Sequence, residues 1–146
     1  MTCFWNSILC GLNRVKDISC ISQSLSRELF DNRLLQQPIQ LVDYLKRHNI
    51  KTDHVRFNGE FLNQKRKDEN FEAISVFDSS SIYRGYLCAF EEPFLFLICE
   101  LFKINIRHNY NGHYGHYSYD GIPSNRCIHL RSNMSHMNFI CSNIDS

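Results

Sequence analysis

Cys3 stands at the head of "CFWNSILCGL", where Phe4, Ile8 and Leu12 recur at helical spacing and Trp5 and Leu9 widen the apolar stripe. A thiol at the first turn of such a helix faces unpaired backbone N–H groups and the positive end of the macrodipole. Both favour thiolate over thiol. A thiolate is the nucleophilic form, and it needs a base held beside it. Seven histidines compete for that role: His48, His54, His108, His113, His116, His129 and His136. His136 is set apart by Asn138, two residues on in "HMNFIC". In a strand, residues i and i+2 share a face. The Asn138 amide oxygen can then accept from one imidazole nitrogen, fix the tautomer and aim the other nitrogen at Cys3. This is the Cys-His-Asn form of a catalytic triad. The competing reading is a packed thiol and an ordinary strand-end histidine.

The elements that must bring these residues together can be read from the same sequence. The first helix is expected over Cys3–Leu12, ended by Gly11 and Asn13. A second covers roughly Ser22–Leu35. A third runs from Pro38 to about His48 and buries Leu41, Val42 and Leu45. Asn58-Gly59 marks a turn, followed by an exposed, charged helix over Glu60–Ala73. Ser79-Ser80-Ser81 is a break, and Ile82–Phe90 reads as a short helix. Glu91-Glu92-Pro93 is a helix start, and Phe94–Cys99, apolar all round, is a central buried helix. "KINIRHNY" (Lys103–Tyr110) alternates like a strand. Asn111-Gly112 is a hairpin turn, and a second strand carries Tyr114, Tyr117 and Tyr119. Cys127–Arg131 and His136–Cys141 form a closing antiparallel hairpin. The whole predicts a single α+β domain over 1–146, with N-terminal helices packed on a small, mostly antiparallel C-terminal sheet.

Composition narrows the function classes. The chain has 146 residues, 43% apolar and 13% aromatic, enough for one core. A net charge of +1 argues against a nucleic-acid module. The cluster Lys65-Arg66-Lys67 runs straight into Asp68-Glu69 and reads as a solvated helix face. No run reaches membrane-spanning length, and no secretory signal is visible. Seven scattered cysteines without a CxxC pair read as reduced thiols in a cytosol-like compartment, with Cys10, Cys20, Cys88 and Cys99 as buried small hydrophobes. A zinc reading of His108, His113 and His116 with Cys127 and His129 has one short pair, His113-x-x-His116, and no second pair of firm spacing. The expectation is no metal and no cofactor. The hairpin reads instead as an aromatic, polar surface suited to protein contact.

Three blocks together resemble the ovarian-tumour (OTU) family of papain-like cysteine proteases. "CFWNSI" is similar to the family's nucleophile helix. "PFLFLICELFKINIRHNY", preceded by Gly85, is similar to its buried helix and following Ile-x-Ile strand. "CIHLRSNMSHMNFI" is similar to its closing hairpin, with Met137 where the family usually has an aromatic. The blocks fall in family order across nearly the whole chain. The resemblance implies an OTU-like papain-type fold and an isopeptidase that cleaves at the C-terminus of ubiquitin or a ubiquitin-like protein. Cys3 would be the nucleophile, His136 the base and then the acid, and Asn138 the orienting residue. Backbone N–H groups of Thr2 and Cys3 would bind the oxyanion. Asp78, Glu91 and Glu92 are candidate acids for the basic residues behind the Gly-Gly tail.

One departure stands out. The family places Asp-Gly-x before its cysteine, where this chain has Met1-Thr2. The alternatives are therefore a non-hydrolytic OTU-like module that binds ubiquitin or another partner, and a viral papain-like polyprotein protease using the same triad. The small size suggests a viral member, acting in the host cytoplasm.

Overall fold

Glu92-Pro93 starts the helix around which the molecule is organised. In the computed structural model, which describes residues 3–16, 37–84, 86, 88–121, 126–133 and 137–144, this helix spans Pro93–Phe102, with Glu92 as its N-cap and Pro93 in its first turn. Every residue from Phe94 to Cys99 is buried, as an all-apolar helix requires. Among the described residues, α1 (Cys3–Lys16), α2 (Pro38–Arg47) and α3 (Gln64–Ser75) precede it, which makes Pro93–Phe102 α4. A 3-10 helix covers Ser79–Arg84. In α2, Leu41, Val42 and Leu45 are fully buried, as their spacing predicts.

The strands are β1 (Val55–Phe57), β2 (Glu60–Phe61), β3 (Asn105–Tyr110), β4 (His113–Tyr119), β5 (Arg126–Ser132) and β6 (Met137–Ile144). They form one sheet in the order β2-β1-β4-β3-β5-β6. All neighbours are antiparallel except β3 and β5, which run parallel. The class is therefore α+β with a mostly antiparallel sheet. Both predicted Asn-Gly turns are present: Asn58 and Gly59 have φ 51° and 90°, and Asn111 and Gly112 have φ 49° and 89°. Two consecutive positive φ values match the right-handed twist of the flanking strands.

Four expectations need correction. The helices do not all precede the sheet, because β1 and β2 join it from between α2 and α3. Glu60-Phe61 is the second arm of a hairpin, and the charged helix starts only after Asn63, whose side chain caps it by accepting from Arg66 N at 2.9 Å. Past the 3-10 helix, the described part of 85–90 is not helical; Ala89 N donates to the Glu92 carboxylate at 2.9 Å instead. Helix α1 runs through Gly11 and Asn13 to Lys16. The expected helix over Ser22–Leu35 lies outside the described residues.

Gly11 has a packing reason. A Cβ there would sit 2.6 Å from Ile128 Cγ2, so the missing side chain lets α1 lie directly on β5. Ile128 is itself buried and cannot swing into solvent. Gly11→Val is expected to lower stability by about 1–3 kcal/mol through overpacking. In urea titrations, pairing Gly11→Val with Ile128→Ala should lose less than the sum of the two single changes. Strict additivity would show that the helix and strand are not in contact there.

Candidate active site

Cys3 is the first residue of α1 and is half-buried. The helix is seated by its aromatic residues. The Phe4 ring lies 4.5 Å from that of Tyr86, and the Trp5 ring lies 4.8 Å from that of Phe94 on α4. Gly11, two turns further on, lies over Ile128. Running back from Gly11 to Cys3 covers roughly 12 Å of helix. Running along β5 from Ile128 to Ser132 covers roughly 13 Å of strand. A second route agrees: Tyr86 touches Phe4, and Cys88, two residues on, has its Sγ 3.6 Å from Ser132 Oγ. Ser132 is the register partner of Met137, the first residue of β6. The Cys3 end of α1 and the start of β6 therefore lie at the same end of the sheet.

Thr2 and His136 lie outside the described residues. Asn138 is the second residue of β6 and pairs in register with Arg131, an exposed position, whereas Ser132 opposite Met137 is buried. Of the three candidate acids, Glu92 faces the core and is 1% exposed, so it cannot meet an incoming basic tail. Glu91 pairs with Arg66, and Asp78 accepts from the backbone and hydroxyl of Ser80.

Below this end of the sheet lies a buried polar network that the motif reading did not include. The Glu92 carboxylate accepts from the Tyr86 hydroxyl, from Ala89 N at 2.9 Å and from Phe94 N at 3.4 Å. Glu92 N donates to the Tyr117 hydroxyl at 2.9 Å, and that hydroxyl donates to Phe90 O at 2.8 Å. Burial pushes the Glu92 carboxyl up to about 7, against the lowering effect of those donors. Burial also raises the Tyr86 hydroxyl, so it stays protonated as a donor. Beside this lies a second chain. His108, fully buried, has its Nε2 hydrogen-bonded to Ser132 Oγ, and its Nδ1 has no partner among the described residues. Burial holds His108 down to about 4 and raises the Cys88 thiol. These shifts keep His108 neutral and Cys88 protonated, which suits structural roles rather than nucleophilic attack.

The signal for His108 was present in the sequence. Ile104, Ile106 and His108 alternate, so the strand period that puts the two isoleucines on one face puts His108 there too, and all three are buried. The aromatic, polar hairpin sequence that follows it points instead to an exposed surface. Two thiols also differ from expectation in degree. Cys99 is buried, but Cys10 is exposed and Cys88 is half-buried. Cys20 lies outside the described residues. Among the described residues no group of three or more His, Cys, Asp or Glu is gathered to hold a metal, and no helix is long and apolar enough to cross a membrane.

No protein-family model, no curated protein and no solved structure matches this chain.

Proposed function

We propose that this chain is an OTU-like cysteine isopeptidase acting at the C-terminus of ubiquitin or a ubiquitin-like protein. The observation that carries the reading is the shared position of two elements: the helix that begins with Cys3 and the strand that follows His136 start at one end of the sheet. The three ordered sequence blocks support it from the other side. In this reading His136 takes the Cys3 proton, the thiolate attacks the isopeptide carbonyl, and His136 returns the proton to the departing lysine amine. Water then hydrolyses the thioester. Asn138 orients the imidazole, and the N–H groups at Thr2 and Cys3 receive the oxyanion. The reading places the activity in a cytosolic compartment, in the host cell if the chain is viral, and invokes neither nucleic acid nor membrane.

The test is a ubiquitin whose C-terminus carries an electrophile. Covalent capture is expected on Cys3 and should vanish in Cys3→Ala. On a fluorogenic ubiquitin substrate, His136→Ala should stop turnover, while Asn138→Ala should slow it less. Capture on a different cysteine, or full turnover in both variants, overturns the assignment. Non-covalent ubiquitin binding without capture would instead identify a non-hydrolytic binding module.

A further inference from the structure

The face of the sheet opposite α1 and α4 holds a second feature. Across three adjacent strands, register aligns His116, Arg107 and His129 in one row and Tyr114, Asn109 and Arg131 in the next. On this face lies an open cavity of about 130 Å³, lined by Arg107, Asn109, Tyr114, His129, Leu130 and Arg131. On the same measure one water needs about 10–15 Å³, so this space takes a group several times larger. Neither arginine has an acidic partner among the described residues; the described ion pairs all lie elsewhere. The positive field is felt locally. His129 is held below its ordinary value by burial and then by Arg107, and His116 by burial, Arg107 and His129.

We propose that this cavity is a binding site for a phosphate group, carried by a small phosphate monoester. Two guanidinium forks on neighbouring strands present more donors than one carboxylate can satisfy, whereas a phosphate dianion has enough oxygens to meet both. Asn109 adds an amide, and His129 adds a ring N–H. Tyr114, 63% exposed at the rim, offers a flat face to a ring attached to the phosphate, as in a nucleoside monophosphate. A long polyanion is disfavoured, because the whole chain carries a net charge of +1 and the arginines surround a pocket rather than a stripe. Arg131 is also the register partner of Asn138, so the test below reads ligand binding and not turnover.

Calorimetric titration of the full chain with inorganic phosphate and with adenosine and uridine monophosphates tests the assignment. Binding is expected for all three, tighter for the nucleotides. Arg107→Gln or Arg131→Gln should each weaken it roughly tenfold or more, and the double variant should abolish it. Arg56→Gln, a surface arginine paired with Asp120 and stacked on Phe61, is the control and should bind as the parent does. Tyr114→Ala should remove the advantage of nucleotides over phosphate and leave phosphate binding intact. Unchanged thermal melts would show that the variants fold, since both arginines are exposed. No binding at millimolar phosphate or nucleotide overturns the proposal, as does equal weakening by Arg56→Gln. Tight binding of single-stranded RNA with a steep salt dependence, and none of mononucleotides, would replace it with a nucleic-acid surface.

Discussion

At pH 8 a Glu92→Gln chain is expected to be more stable than the parent, by about 1–2 kcal/mol, the gain from removing a buried charge less one lost acceptor, although Glu92 caps the central helix. The folded carboxyl titrates near 7 instead of 4.5, so the folded state holds a proton that the unfolded state releases. For an acid raised in this way, stability is greatest below the unfolded value and falls as pH rises towards the folded one. Glutamine carries no charge into the core and keeps one acceptor oxygen, for the Tyr86 and Phe94 N side, while its NH2 faces Ala89 N in place of the second oxygen. His108 works in the opposite sense. Its folded value near 4, against 6.5 unfolded, means that stability is complete above 6.5 and is lost as pH falls towards 4. Between about 4.5 and 6.5 the two slopes oppose one another, and the parent should be nearly flat. Urea unfolding from pH 4 to 8 should therefore show Glu92→Gln rising with pH to 6.5 and then level. His108→Gln should instead fall with pH up to 7. A Glu92→Gln chain less stable than the parent at pH 8 would mean that the donors around the carboxylate outweigh its burial.

Trp5→Ala is expected to cost about 3–5 kcal/mol, the range for emptying a large aromatic site. Trp5 is fully buried and meets four rings: Phe4 at 4.8 Å, Phe94 at 4.8 Å, Tyr86 at 5.7 Å and Phe77 at 6.2 Å. It joins α1, α4 and the segment after the 3-10 helix at the level of Cys3. Its indole Nε1 has no partner among the described residues, so Trp5→Phe gives up volume but no hydrogen bond and should cost less. Thermal or urea unfolding measures both. If capture by the ubiquitin electrophile proceeds through Cys3, Trp5→Ala should slow it even at temperatures where the chain remains folded, because the helix start loses its seat. A loss below 1 kcal/mol would show that the aromatic cluster does not hold α1.

Much of the fold was legible because local signals agreed with the tertiary outcome. Glu92-Pro93 and the apolar run behind it mark both the start and the burial of α4, and the two Asn-Gly pairs mark hairpins that exist. The misreadings have one common cause. Gly11 looked like a helix stop because sequence alone cannot show that Ile128 requires an absent side chain. Glu60-Phe61 looked helical because a two-residue strand has no period of its own and forms only against β1. Cys10 stands among apolar residues in the chain but on the outer side of α1 in space.

By itself the sequence determined the α+β class, the central helix, the hairpin turns and the candidacy of Cys3, His136 and Asn138. Each rests on a preference between near neighbours: a turn dipeptide, a cap, a period of two or of 3.6 residues. Only the tertiary structure decided that the Cys3 end of α1 and the start of β6 share one end of the sheet. It also decided that Glu92 and His108 are shut in the core with opposing pH responses, and that Arg107 and Arg131 flank one cavity. These depend on strand order and on the parallel pairing of β3 with β5, which join residues far apart in the chain. No local preference encodes such a pairing; it is settled when every buried face is covered at once.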